Sequence, residues 1–75
     1  MEKPDLNALQ TTYKQAVDRL VDAIRAEEAL ANADHSETAM EKWDRADFTV
    51  QDALDHARKA REHYKDGLRQ AHYGI

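Results

Sequence analysis

The sequence predicts an all-α fold: an antiparallel two-helix hairpin of coiled-coil type that pairs with a second copy into a four-helix bundle. Thirteen alanines against two glycines and one proline favour long helices over a sheet. Apolar residues recur at three- and four-residue steps over two long stretches, which indicates two amphipathic helices. The 75 residues include no cysteine, which excludes disulfides and thiolate metal sites. Self-association is therefore the support expected for so small a core.

The whole chain, residues 1–75, is expected to be one helical-hairpin domain. Its first helix is predicted from about Asp5 to about Ala33. Pro4 suits the first helical turn, where its missing N–H is not needed, and the carboxylate of Asp5 suits the positive end of the helix dipole. The apolar seam of this helix keeps a heptad rhythm. Its members are Leu6, Leu9, Tyr13, Ala16, Leu20, Ala23, Glu27 and Leu30.

A turn at about residues 34–36 separates the two helices. Asp34 and Glu37 have the spacing of a capping box, and Ser36 is an alternative N-cap. The second helix is predicted from about Glu37 to about His72. Gly67 lies inside it, and an interior glycine, which costs about 1 kcal/mol, indicates fraying there. The predicted seam of this helix comprises Met40, Trp43, Asp47, Val50, Leu54, Ala57, Arg61, Tyr64, Leu68 and Ala71.

The short turn makes the two helices antiparallel neighbours. With the turn centred near residues 34–35, Leu20 is expected to face Val50. In the same register Tyr13 lies over the small side chain of Ala57. Pairing a large residue with a small one is what close helix packing needs.

A second apolar strip lies beside the first seam. Val17, Val21 and Ile24 follow one another at helical spacing, and the expected register places Phe48 opposite Val21. A hairpin buries one stripe per helix, whereas a four-helix bundle buries a wider face on each. We interpret these four residues as a homodimer interface. The alternatives are a broadened edge of the hairpin seam and a groove for a different protein.

The net charge of −4 is unevenly distributed. Residues 18–55 carry eleven acids and four bases, a net charge of −7, whereas residues 56–75 carry five bases and two acids, a net charge of +3. An acidic tip and a mildly basic open end are therefore expected. The tip either attracts a basic protein surface or is a solvated surface whose charges suit the helix dipoles. The basic end is too dilute for direct nucleic-acid binding.

The four histidines do not form a recognisable metal site. His56 and His63 share a helix face but lie about 10 Å apart along the axis, too far to bind one ion. Asp52 lies one turn before His56, within its reach, but two ligands do not make a site. No metal and no cofactor are expected, and no role is assigned to His72.

Catalysis would need convergent polar groups, and the seams offer only Glu27, Asp47 and Arg61, with Glu28 beside them. Polar residues in a seam more often fix register and oligomeric state, and that is our interpretation. Trp43, near the turn, is interpreted as a core plug, with a role at the centre of a binding surface as the alternative.

The expected function is that of a non-enzymatic protein–protein interaction module. Its expected contact with an unidentified protein partner is the acidic tip around Glu37, Glu41, Asp44 and Trp43. The alternatives are an inhibitor that mimics nucleic acid with its acidic face and a small dimeric helical enzyme. No apolar run approaches the roughly 20 residues that cross a bilayer, and no signal-peptide pattern opens the chain. A cytoplasmic location without membrane contact is therefore expected.

Overall fold

The computed structural model describes residues 4–31 and 35–73, which form a helical hairpin. Helix α1 spans Leu6–Glu28 and helix α2 spans Glu37–Tyr73, and the two pack against each other. The Cα atoms extend over 56 × 15 × 14 Å. At 1.5 Å per residue, α2 accounts for the whole length, whereas α1 covers about 35 Å. The all-α hairpin is confirmed, and α2 extends beyond α1.

Helix α1 begins at a capped N-terminus. The carboxylate of Asp5, the N-cap residue, accepts a hydrogen bond of 3.0 Å from the backbone N–H of Ala8. Pro4 thus precedes the cap and does not lie in the first turn. A carboxylate here satisfies one of the N–H groups that lack a partner within the helix.

The C-terminal end of α1 lies earlier than the sequence predicted. The N–H of Leu30 donates to the carbonyl oxygen of Glu27 at 3.0 Å, and the N–H of Ala31 donates to that of Glu28 at 2.9 Å. These bonds span three residues, as in a 3₁₀ turn. The tightening ends α1 at Glu28, whereas the periodicity predicted an end near Ala33.

Helix α2 is preceded by Ser36, the alternative N-cap of the prediction. The Ser36 hydroxyl oxygen accepts from the backbone N–H of Ala39 at 3.1 Å. The capping box of Asp34 and Glu37 depends on Asp34, which lies outside the described residues. The far end of α2 is at Tyr73, one residue after the predicted end.

The seam of α1 follows the prediction. All eight predicted members, from Leu6 to Leu30, are half-buried. The face of α1 that meets α2 is therefore confirmed.

Half of the predicted α2 seam is confirmed, because five of its members are buried or half-buried: Val50, Leu54, Ala57, Tyr64 and Leu68. Beside them runs a line of small residues that lies one position earlier than predicted at every second step. Its buried residues are small: Ala57 is 6% exposed, Ala60 is 8% exposed, and Gly67 is also buried. Ala46 and Ala53 continue this line and are half-buried. Small side chains let the helix backbones approach closely, so these positions face α1.

Five predicted seam members of α2 are instead exposed, and the prediction is wrong for them. They are Met40, Trp43, Asp47, Arg61 and Ala71. At Met40, Asp47 and Arg61 the prediction chose the larger residue of a neighbouring pair, whereas the structure packs the alanine beside it. The charged groups of Asp47 and Arg61 consequently remain in solvent and avoid the cost of desolvation.

Gly67 is a packing position and not a site of fraying. A Cβ atom added to it would lie 2.7 Å from Cδ1 of Leu9 and 3.3 Å from Cδ2 of Leu6. The same atom would lie 3.6 Å from Cβ of Pro4. The glycine therefore makes room for the leucines at the start of α1.

Replacing Gly67 with alanine is expected to change the free energy of unfolding by less than about 1 kcal/mol, because two effects oppose each other. Alanine gains up to about 1 kcal/mol in helix propensity. Against this, the new methyl group must displace the flexible end of the Leu9 side chain, a cost of overpacking. Urea unfolding measures the balance.

The control repeats Gly67→Ala in a Leu9→Ala background, where the obstructing atom is absent. There the substitution should stabilise the chain by close to the full helix gain of about 1 kcal/mol. A loss of stability in both backgrounds would contradict this account of Gly67.

The relative position of the helices differs from the predicted register. The ring of Tyr13 lies beside that of Tyr64, with centroids 6.4 Å apart. Tyr64 is seven residues, or two helical turns, beyond Ala57, the predicted partner of Tyr13. Because α1 ends at Glu28, the segment that follows it lets α2 begin beyond the end of α1.

This register leaves the first turns of α2 poorly covered. Met40 is 65% exposed and Trp43 is 37% exposed. Counting eight residues along each helix from the Tyr13–Tyr64 contact places Val21 of α1 level with His56 of α2, two residues from Leu54. Within the described residues, neither helix has a stretch that is long and apolar enough to cross a membrane.

Candidate protein-interaction surfaces

Two open grooves run between the helices on opposite sides of the hairpin. The first, of about 280 Å³, defines what we call the leucine side. It is lined by Tyr13, Val17, Leu20, Leu54, Ala57, Arg58 and Arg61. Val21 and Ile24 follow Val17 at four and seven residues and so share its face of α1. They remain 46% and 45% exposed, so an apolar strip on this side lacks cover in the single chain.

The second groove, of about 610 Å³, defines the histidine side. It is lined by Thr12, Gln15, Ala16, Arg19, Ala23, Thr49, Asp52, Ala53, His56, Lys59, Ala60 and His63. Nδ1 of His56 lies 3.9 Å from Oδ2 of Asp52, so the two side chains are within reach of each other. Among the described residues, no three histidine or carboxylate side chains are grouped to hold a metal ion.

Phe48 lies apart from the other three residues of the expected dimer interface. It is 81% exposed. Nine residues separate it from the buried Ala57, which at 100° per residue places it on the side of α2 turned away from α1. Glu41 and Asp44, seven and four residues earlier, share that side. We call the surface formed by Glu37, Glu41, Asp44 and Phe48 the acidic face.

Trp43 lies on a different side of α2 from these acids. It precedes Val50 by seven residues and Leu54 by eleven, spacings that place all three on the leucine side. The sequence placed Trp43 among the acids of the tip and Phe48 opposite Val21. In the structure it is Phe48 that lies among these acids, and it is the apolar centre of the acidic face. Trp43 lies on the leucine side of α2, beyond the end of α1.

The charges of the acidic face are not neutralised within the hairpin. Glu37, Glu41 and Asp44 form no ion pair with any residue of 4–31 or 35–73. At the open end Lys65 lies 3.8 Å from Glu62, and Arg69 lies 2.7 Å from Asp66. The carboxylates of the acidic face are thus available to a second molecule.

The chain exposes more surface than its mass requires. Its accessible surface is 6198 Å², whereas a compact monomer of this size exposes about 4700 Å². Within the described residues no large side chain is fully buried. The excess, roughly 1500 Å², is larger than the roughly 800 Å² that one partner contributes to a standard protein–protein interface.

The three polar residues considered for catalysis are not brought together. Glu27 is half-buried on α1, Asp47 is exposed on α2, and Arg61 lines the groove of the leucine side. Asp47 and Arg61 lie about 21 Å apart along the helix axis. A single reacting group cannot contact both within one chain.

Comparison with known protein families, with curated proteins and with solved structures finds no match to this chain.

Proposed function

We propose that the protein is a non-enzymatic interaction module that forms a homodimer and binds a basic protein partner through its acidic face. The observation that carries the proposal is the exposure of Phe48, 81% of which is accessible to solvent, on a face that also bears Glu37, Glu41 and Asp44. Aromatic residues are enriched at the centres of protein–protein interfaces, where they supply much of the binding energy.

The chemistry of the acidic face specifies the chemistry of its partner. An aromatic ring needs an apolar socket, and the unpaired carboxylates around it need basic side chains at the rim of that socket. Opposite charges also accelerate the encounter of two proteins and exclude acidic competitors. The partner is therefore a protein surface with an apolar pocket ringed by lysine or arginine.

Homodimerisation is supported by the leucine side. Val21 and Ile24 are nearly half-exposed, and the buried residues of α2 are small. A domain of this size seldom obtains more than about 3–5 kcal/mol from its own core. A second hairpin over the strip would complete a four-helix bundle and supply the missing burial.

Reversing charge on the acidic face is expected to abolish partner capture. The variant combines Glu41→Lys with Asp44→Lys, and it is compared with the wild type as bait in an extract of the native host. Both side chains are exposed, so the hairpin should keep its helical circular dichroism while losing the proteins that the wild type retains.

The matched control combines Glu62→Lys with Asp66→Lys, the same change in charge at the open end of α2. It should retain the captured proteins. If the control and the acidic-face variant capture the same proteins as the wild type, the acidic face is not the partner surface.

A further inference from the structure

On the leucine side, each helix carries a row of three residues at heptad spacing, which we call a column. In each column an apolar residue lies at the centre, with opposite charges seven residues before and after it. The column of α2 has a leucine at its centre, an acid seven residues before it and a base seven residues after it: Asp47, Leu54 and Arg61. The column of α1 has a valine at its centre, a base before it and an acid after it: Lys14, Val21 and Glu28. Heptad spacing keeps each column on one face of its helix.

The two centres lie at nearly the same height in the hairpin. Tyr13 lies beside Tyr64 with ring centroids 6.4 Å apart. Counting eight residues along each helix from this pair sets Val21 level with His56, about 3 Å along the axis from Leu54. Leu54 is also one residue from the midpoint of Glu37–Tyr73. A twofold axis at this height, perpendicular to the helices, would overlay α2 on the α2 of a second copy along its whole length.

We infer that a second copy packs on the leucine side in antiparallel orientation, about a twofold axis that passes beside Leu54 and Val21. The inference rests on the proposed homodimer and specifies its geometry. Leu54 then packs against Leu54 of the other copy. Asp47 of each copy meets Arg61 of the other, and Lys14 of each meets Glu28 of the other.

The side chains that would pair are accessible in the single chain. Asp47 and Lys14 form no ion pair within the residues described. Arg61 lies 3.6 Å from Glu62, and Glu28 lies 3.8 Å from Arg25, but all four of these side chains are at least half-exposed. Exposed pairs of this kind contribute little, so they do not oppose pairing with a second copy.

The charge of the whole hairpin favours the same orientation. An antiparallel dimer sets the acidic tip of each copy, residues 18–55 at −7, beside the basic open end of the other, residues 56–75 at +3. A parallel dimer would set the two tips side by side, where like charges repel. The overlapping face, 56 Å by 15 Å between Cα atoms, offers roughly 800 Å² per copy, the contribution of one partner to a standard interface.

Charge reversal tests the pairing directly. Asp47→Arg alone sets Arg61 against arginine in the other copy, and Arg61→Asp alone sets Asp47 against aspartate. Each variant is expected to raise the Kd of the dimer about 10- to 30-fold, because two attractive pairs become repulsive. An equimolar mixture of the two variants should restore dimers, since the mixed pair is again complementary. Sedimentation velocity measures all three samples.

The control is Asp55→Arg, which makes the same charge change on the outer side of α2, one residue beyond Leu54. It should leave the Kd of the dimer unchanged.

A second measurement is disulfide crosslinking, which is possible because the chain contains no cysteine of its own. Under mild oxidation Leu54→Cys should form a covalent dimer, whereas Lys59→Cys, on the histidine side, should not.

A wild-type dimer that is insensitive to both reversals and gives no covalent dimer through Leu54→Cys would overturn the antiparallel geometry but leave a homodimer in place. A wild-type chain that stays monomeric at high concentration would overturn both the geometry and the homodimer. Neither result alters the capture experiment on the acidic face, which is read separately.

Discussion

Replacing Ala60 with leucine is expected to lower the free energy of unfolding by about 2–3 kcal/mol, the cost of overpacking a tight contact. Ala60 is 8% exposed and Ala57, one turn earlier, is 6% exposed. A leucine adds three carbon atoms to a buried methyl group that faces α1 at the edge of the groove on the histidine side. Alanine is also the best helix former, so the substitution gains nothing in propensity to offset the loss. A hairpin with about 3–5 kcal/mol from its core would become marginal.

Urea unfolding followed by circular dichroism measures this change, at several protein concentrations so that any dimer contribution is separated. The control is Ala26→Leu, which makes the same substitution at an exposed alanine of α1. We expect the control to stay within about 0.5 kcal/mol of the wild type. Equal stabilities of the two variants would show that the helices do not approach closely at Ala60.

The sequence predicted the seam of α1 correctly because its large apolar residues and its contact positions coincide. In α2 they do not coincide. Leu54 and Leu68 stand next to Ala53 and Gly67, and hydrophobicity favours the larger residue of each pair. The closest approach of two helices instead requires the smallest side chains. Residue size along the column, which a hydrophobic pattern does not weigh, decides which face is buried.

This difference of one residue explains why the residues that share a surface in the structure differ from those that the sequence grouped together. Moving half of the seam one position earlier rotates α2 by about 50° relative to α1. Phe48 thereby leaves the strip of Val21 and joins Glu41 and Asp44, while Trp43 moves to the leucine side. The residue types at both surfaces were visible in the sequence. Their neighbours depended on the rotation and register of α2, which the turn alone did not fix.

The rotation also changes the position of the two charged residues, Asp47 and Arg61, that interrupted the predicted seam of α2. As seam members, Asp47 and Arg61 would have faced α1 and been desolvated. On the leucine side they are exposed and lie seven residues on either side of Leu54. Fixing the register of the helices remains their proposed role, but the helix concerned is that of a second copy.

Replacing Phe48 with alanine is expected to weaken binding of the captured partner at least about 30-fold, the loss typical of an aromatic residue at the centre of an interface. The side chain is 81% exposed and turned away from α1. The free energy of unfolding should therefore change by less than about 0.5 kcal/mol. Titration calorimetry with the partner identified by capture measures the affinity, and urea unfolding measures the stability.

The control for Phe48→Ala is Tyr73→Ala, because Tyr73 is an aromatic residue of α2 that is 74% exposed but lies at the open end. It should leave the affinity unchanged.

The comparison of Phe48→Ala with Tyr73→Ala also distinguishes the proposed partner from the target of a nucleic-acid mimic. A mimic binds through charge, so its affinity would fall steeply with salt and would depend little on Phe48. If Phe48→Ala and Tyr73→Ala bind equally well while added salt abolishes binding, the acidic face acts by charge alone, and the apolar socket assigned to the partner is wrong.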